Sequence, residues 1–148
     1  MHIDQVRKGD RQFDSPPVFE GLEKLGHNGQ KIADILGVSP PTVSKWRNGH
    51  VPVPDEIVAL LTLVLASFVE DLIEQKTDSS ESTVWNFYQR ARLEAAREDL
   101  AAQEKVNHTL KPTAVRAGAI RFRYWWNVQI RRQIPVGGTK FEPRVAII

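Results

Sequence analysis

The chain carries the residue types of enzymatic chemistry without the spacing that such chemistry needs. No His-Glu-x-x-His motif, Gly-rich phosphate loop or Gly-x-Ser-x-Gly motif occurs in it, and these are arrangements that place a metal, a phosphate or a nucleophile. Cysteine is absent, which excludes thiol nucleophiles, disulfides and thiolate zinc sites. The histidines are scattered, at His2, His27, His50 and His108. We therefore expect no catalytic site, no metal and no cofactor.

Recognition chemistry is indicated instead by a polar and basic segment in the first third of the chain. Residues 30–36 place apolar side chains at helical spacing, and Gly37 suits a helix end because glycine adopts positive φ without strain. Ser39 followed by Pro40 is typical of an N-cap and a first helical turn, which predicts a second helix over about residues 40–47. The segment therefore predicts two short helices joined by a tight turn.

These two helices meet the packing requirements of a helix-turn-helix, whose second helix enters the major groove of DNA. Ala33 is the small residue where the helices approach closely, and Gly37 is the turn glycine. The stretch IADILGVSPPTVSKWRNG resembles the Cro/CI-like (XRE) helix-turn-helix family nearly position for position, within a likeness that covers about residues 16–70. The apolar residues expected on the inner faces are Ile32, Leu36, Val38, Val43 and Trp46.

The resemblance implies a role for each polar residue of the motif. Pro40 and Pro41 stand where family members often carry glutamine or arginine, and two prolines offer bases only apolar contact, as to thymine methyl groups. Hydrogen-bonded base reading would then fall mainly on Lys45, with Ser44 or Thr42 beside it. The expected DNA-binding set is Ser39, Pro40, Pro41, Thr42, Ser44 and Lys45 toward the bases, and Gln30, Lys31, Arg47 and Asn48 toward the phosphates.

The whole pattern predicts an all-α fold, with a five-helix Cro/CI-like (lambda-repressor-like) domain followed by a helical carboxyl-terminal region. A helix opened by Pro16 and Pro17 precedes the motif, and a helix over residues 54–76 follows it, apolar on all sides in its first half. A further helix is predicted over about residues 83–106. Residues 113–134 fit both an alternating strand and a helix, and helix is favoured because a strand of that length would far exceed the usual ~5–6 residues.

Polar residues divide the chain into predicted regions. The run Thr-Asp-Ser-Ser-Glu-Ser at residues 77–82 is the expected linker, which separates the helix-turn-helix domain, residues 15–76, from a helical dimerisation and basic region, residues 83–148. Residues 1–14 form an amino-terminal arm. We expect a homodimer, because one recognition helix reads few base pairs. Its interface is expected on the helix over residues 54–76, which could instead only cap the core, or on the helix over residues 83–106.

Charge is distributed unevenly although the net charge is only +2. Residues 54–107 hold five basic and eleven acidic residues, whereas residues 108–148 hold eight basic residues and one acidic residue. The basic segment also carries Phe122, Tyr124, Trp125 and Trp126. Its arginines have three interpretations: they grip DNA phosphates, they flank aromatic rings that stack on unpaired bases, or they pair with the acidic helix while the aromatic rings enter a core. The last is favoured, and the arginines concerned are Arg116, Arg121, Arg123, Arg131 and Arg132.

The function expected from these observations is a sequence-specific, duplex DNA-binding transcriptional regulator, a repressor, of bacterial or phage origin. Its partners would be double-stranded DNA, a second copy of the chain and a protein bound through the carboxyl-terminal region, with no membrane partner. No apolar run is long enough to cross a bilayer, and a cytoplasmic, nucleoid-associated location is expected. Two alternatives stay open: an antitoxin that also regulates its own operator, and a DNA-packaging or replication accessory factor.

Overall fold

All regular secondary structure in the described part of the chain is helical. A computed structural model describes residues 12–78 and 83–133, with side chains described over residues 12–74 and 87–129. Within these ranges no strand occurs, so the all-α expectation is confirmed for them. Residues 113–133, whose pattern fitted both a strand and a helix, are helical. The elements are α1 Pro17–Lys24, α2 Gly29–Leu36, α3 Pro40–Arg47, α4 Asp55–Asp78, α5 Thr83–Val106, a short 3-10 helix Asn107–Thr109, and α6 Pro112–Gln133.

Side-chain and glycine caps fix the ends of the short helices. The Asn28 side chain accepts a hydrogen bond from the Lys31 N–H at the start of α2, and Ser39 does the same for Thr42 at the start of α3. Gly37, with φ of 71°, ends α2 in the left-handed conformation that glycine adopts most readily. Because each of these two helices has only eight residues, their stability depends on packing more than on helix propensity.

Helix α4 forms the centre of the core. Its first half is buried nearly all round, as the sequence predicts, with Ile57, Val58, Leu60, Leu61, Val64 and Leu65 at 5% exposure or less. Helices α1, α5 and α6 each pack against it. A helix that is apolar on every side needs this arrangement, since any uncovered side would expose apolar surface to water.

The core continues across the predicted linker. Leu93 and Ala96 of α5 and Phe122 and Trp126 of α6 belong to the same buried cluster as the residues of α1 to α4. The division of the chain at residues 77–82 remains a prediction, and residues 79–82 lie outside the described ranges. Residues 15–76 therefore share their apolar core with the chain that follows.

Helix α6 lies unusually close to α4. A Cβ atom on Gly118 would lie 2.8 Å from Ala59 Cβ and 2.9 Å from both Glu56 O and Leu60 N. Two of these three neighbours are backbone atoms, which cannot rotate away. Gly118 and Ala59 thus let the two helix backbones approach until the aromatic residues of α6 reach the core.

A buried glutamine ties α5 to the start of α1. Gln103 is fully buried, and its Oε1 accepts a hydrogen bond from the Val18 N–H at 3.0 Å. Pro16 supplies no side-chain cap at this helix start, so the α5 side chain satisfies a donor that would otherwise lack a partner. Gln103 Nε2 donates to Asn107 Oδ1, and Asn107 Nδ2 donates to Thr62 Oγ1 on α4, each at 2.9 Å. Three helices are joined by one satisfied polar network.

An ion pair supports the same contact between α1 and α5. Lys24 Nζ lies 2.7 Å from Asp99 Oδ2, and the hydrogen bond raises the pKa of Lys24. Gly21 lies on the same helix, and a Cβ there would lie 2.6 Å from Leu65 Cδ2 and 3.2 Å from Asp99 Cβ. Helix α1 is therefore held tightly between α4 and α5.

We expect Gly118→Ala to lower the free energy of unfolding by about 1–3 kcal/mol, because the added methyl group overlaps backbone atoms of α4. Gly29→Ala is the matched control, since a Cβ there meets only Val43 Cγ1 at 3.9 Å. The control is expected to leave stability unchanged or slightly raised, by under about 1 kcal/mol. Urea unfolding of the full chain measures both, and an unchanged midpoint for Gly118→Ala would contradict the close packing of α6 on α4.

Candidate nucleic-acid interface

Helix α3 has one buried side and one open side. Val43 is fully buried and Trp46 is 7% exposed, so these two residues anchor the helix to the core as the sequence predicts. The rest of the helix faces solvent. Thr42 is half-buried, and the exposed residues on and beside α3 are Ser39, Pro40, Pro41, Ser44, Lys45, Arg47 and Asn48. The structure thus brings the predicted base-facing residues together on one accessible surface, defined here as the α3 face.

The first turn of α3 has no free N–H group that could bind an anion. Pro40 and Pro41 have no N–H, and the Thr42 N–H already donates to Ser39 O at 3.0 Å. Ser39 Oγ also lies 2.8 Å from Thr42 Oγ1. The start of α3 therefore presents methylene groups and two hydroxyls, and it lacks the free N–H groups that bind phosphate at other helix starts.

The start of α2 provides the donors that α3 lacks. The Asn28 side chain takes the Lys31 N–H, which leaves the Gly29 and Gln30 N–H groups without an acceptor in the described part of the chain. The Gln30 and Lys31 side chains are exposed there, and Lys31 Nζ donates to Gly26 O at 3.3 Å. This end of α2 carries two of the four predicted phosphate contacts, Gln30 and Lys31, whereas Arg47 and Asn48 lie at the end of α3.

The end of α3 is shaped by a Schellman turn, a six-residue pattern of backbone hydrogen bonds. The His50 N–H donates to Lys45 O at 2.9 Å, and Gly49 adopts a φ of 75°. Asn48 Nδ2 donates to Ser44 Oγ at 3.2 Å, so these two predicted contact residues are bonded to each other. Lys45 is exposed and has no partner among the described residues. Of the two basic residues of α3, Lys45 is the one without an ion-pair partner in the described part of the chain.

Arg47, by contrast, is engaged within the protein. Its Nη2 lies 2.5 Å from Glu23 Oε1 on α1. Burial raises the pKa of Glu23, and the adjacent Arg47 offsets only part of this effect. The second carboxylate oxygen, Oε2, is buried without a hydrogen-bond partner within the described residues. The pair therefore fixes α3 to α1, and sequence reasoning about α3 alone had no signal for it.

The basic and aromatic residues of α6 have different roles. Phe122 and Trp126 are buried and Trp125 is partly buried, so these three aromatic residues enter the core as predicted. The prediction is wrong for Tyr124, which is 74% exposed because it lies on the side of α6 away from α4. The predicted pairing of the arginines with the acidic helix α5 is wrong for Arg121. Its Nη1 lies 3.4 Å from Glu56 Oε2 on α4, and its Nη2 donates to Leu36 O at 3.2 Å.

The physical reason is that α6 packs chiefly against α4, which places Arg121 at the first turn of α4 and the last turn of α2. Arg121 thereby satisfies a free carbonyl at the end of α2 and supports the helix-turn-helix from outside. Arg116 and Arg123 are exposed, and the side chains of Arg131 and Arg132 lie outside the described set.

His27 has a structural role that its sequence position did not reveal. Its ring stacks on Phe68 with a centroid distance of 3.9 Å and an interplanar angle of 11°, and Phe68 in turn meets Trp125 edge-on. Partial burial, and then the charge of Lys31, lower the pKa of His27. The turn between α1 and α2 is thus packed on α4 through the His27 ring, and Phe68 links this contact to α6.

Over the ranges described, no cluster of His, Asp and Glu side chains is positioned to hold a metal ion, and no helix has the length and apolar content of a membrane span. Comparison with protein-family models, with curated proteins and with solved structures found no match to this chain.

We expect His27 to make the free energy of unfolding depend on pH. Because its pKa is lowered in the folded state, the unfolded state binds the proton more readily. The contribution is thus complete above the ordinary value of about 6.5 and is lost as pH falls through the folded pKa. His27→Phe keeps the stack and removes this dependence, whereas the exposed His108→Gln leaves it unchanged. Urea unfolding between about pH 5 and pH 7.5 measures the difference, and parallel curves for wild type and His27→Phe would contradict it.

Proposed function

We propose that this chain is a sequence-specific regulator that binds duplex DNA through a Cro/CI-like helix-turn-helix formed by α2 and α3. The observation that supports this most strongly is the α3 face: a short helix anchored by Val43 and Trp46 whose other side is polar and open. An exposed polar helix of this kind has the dimensions that the major groove admits. The buried Ala33 and the left-handed Gly37 supply the close approach and the tight turn that hold it at its angle to α2.

The geometry supports different contacts for the two helices, with α2 at a phosphate and α3 at the bases. The free N–H groups of Gly29 and Gln30, together with the Gln30 side chain, are suited to a phosphate at the positive end of the α2 dipole. This contact would fix the register of the protein on the duplex. The α3 face would then meet base edges, with Pro40 and Pro41 against thymine methyl groups and Lys45 as donor to guanine.

The composition of the α3 face predicts a limited hydrogen-bond readout. Arg47 is paired with Glu23, and Ser44 is bonded to Asn48, so Lys45 is the charged group that can turn toward a base without first breaking a contact. Affinity would then come largely from phosphates and from the apolar contact of the prolines. Reading by a regulator of this kind is expected to favour A·T-rich half-sites with a guanine at one position.

We expect Lys45→Ala to weaken binding to a duplex selected from a random pool by about 1–3 kcal/mol, because one charged donor to a base or phosphate is lost. The slope of log affinity against log salt concentration is expected to fall by about 1 if the contact is to phosphate, and to change little if it is to a base. Lys105→Ala is the matched control, since Lys105 is equally exposed on α5, away from α3. Fluorescence anisotropy across a salt series measures all three proteins.

Equal losses in the two variants would mean that charge alone drives binding and that α3 has no special part. Lys45→Ala binding like wild type at every salt concentration would contradict the placement of α3 in the groove.

A further inference from the structure

An open cleft lies between the end of α2 and the second half of α6. Its volume is about 620 Å³, which is within the ~300–1,000 Å³ of most small-molecule sites. The hydrogen bond from Arg121 to Leu36 O joins α6 to α2 beside the cleft, so its two sides are held together by the fold. The apolar and aromatic residues that line it are Ile35, Leu36, Leu60, Ile120, Tyr124, Trp125 and Val128.

Two aromatic rings line the α6 side of the cleft. Tyr124 is 74% exposed, whereas Trp125 is partly buried. The Trp125 ring is fixed by contacts with Phe68 and Phe122, each at a centroid distance of 5.7 Å. A ring that is already fixed loses little freedom when a ligand binds. Indole and phenol rings attract a positive charge that lies over their faces, so this side suits an organic cation.

The charged residues of the cleft favour a cation as well. Among the described residues that line it, Asp34 and Arg121 carry charges. The charge of Arg121 is already compensated by Glu56, whose Oε2 lies 3.4 Å from Arg121 Nη1. Asp34 is exposed, and within the described ranges its carboxylate has no hydrogen-bond or ion-pair partner. The cleft therefore keeps an uncompensated negative charge beside its apolar wall.

We propose that this cleft binds a lipophilic organic cation, a small molecule whose positive charge is surrounded by aromatic rings or alkyl groups. The positive charge pairs with Asp34 and lies against the Tyr124 ring, while the apolar groups cover Leu60 and Val128. A neutral ligand would remove water from Asp34 without compensating its charge, which costs free energy. An anion would in addition be repelled by this carboxylate.

The site adjoins the turn of the helix-turn-helix. Leu36 and Gly37 line the cleft and end α2 ahead of α3. A cation bound here contacts this turn, which is a suitable position for an effector. An effect on DNA binding rests on the proposed function, whereas binding of the cation to the cleft does not.

Isothermal titration calorimetry of the full chain without DNA tests the proposal with two probes. Tetraphenylphosphonium and tetraphenylborate have nearly the same size and shape but opposite charges. Wild type is expected to bind the phosphonium saturably, at one site per chain, and to bind the borate roughly 10-fold more weakly or less. Equal affinity for the two ions would mean that apolar contact alone drives binding, and it overturns the proposal.

Removal of the Asp34 charge tests where the phosphonium binds. Asp34→Asn is expected to raise its Kd by about 3–5-fold, because an exposed ionic contact is lost, and to reduce the difference between the two ions. Glu104→Gln is the matched control, since Glu104 is exposed on α5 and does not line the cleft. Its Kd is expected to match wild type, and an equal loss in the control contradicts the assignment of the charge to Asp34.

The aromatic contact is tested by Tyr124→Ala, which is expected to raise the phosphonium Kd by roughly 3–10-fold. Tyr88→Ala is the matched control, because Tyr88 is 62% exposed on α5, and its Kd is expected to match wild type. Circular dichroism establishes that each variant is folded.

A wild type that does not bind the phosphonium overturns the proposal, as it would if a second copy of the chain covered the cleft. Binding that both Asp34→Asn and Tyr124→Ala leave unchanged overturns it as well, because the ion would then lie elsewhere. Since no DNA is present, failure of the proposed DNA binding leaves these results unchanged, and failure here leaves the test of DNA binding unaffected.

Discussion

Helix α4 is apolar around most of its circumference through Leu65, and it is stable only because other helices cover it on several sides. Helices α1, α5 and α6 provide that cover. The close approach at Gly118 and the tight placement of α1 at Gly21 both serve it, since each brings a helix backbone near enough for large side chains to reach the core. The positions of α1, α5 and α6 follow from how α4 is enclosed.

The accessibility of α3 is a consequence of this arrangement. With α4 covered by three other helices, α3 contributes only Val43 and Trp46 to the core and keeps its remaining side toward solvent. The ion pair between Arg47 and Glu23 holds the end of α3 in place. The hydrogen bond from Arg121 to the Leu36 carbonyl holds the end of α2. The α3 face is thus held in place without being buried, which the proposed reading of a groove requires.

The helix-turn-helix, the apolar half of α4 and the α3 face could be predicted from residues close together in the sequence. The cap Ser39, the turn glycine Gly37 and the inward residues of α2 and α3 act within a few residues of one another, so their roles follow from spacing. The apolar first half of α4 was equally predictable from the spacing of its apolar residues. The α3 face was predicted for the same reason, because outward residues are those left over when the inward ones are assigned.

Other features depend on residues far apart in the chain. Gln103 accepts a hydrogen bond from the Val18 N–H, 85 residues earlier in the chain, and Arg121 reaches Leu36 across the same separation. No local pattern specifies such pairs, which explains why sequence reasoning paired Arg121 with the acidic helix α5 and not with α4.

Methylation interference on a duplex selected from a random pool tests whether the α3 face lies in the major groove, because dimethyl sulfate modifies guanine N7 in the major groove and adenine N3 in the minor groove. If α3 lies in the major groove, guanine methylation is expected to abolish binding at symmetric positions in two half-sites, about 10 base pairs apart. Interference confined to adenine, or a pool from which no sequence is enriched, would contradict it.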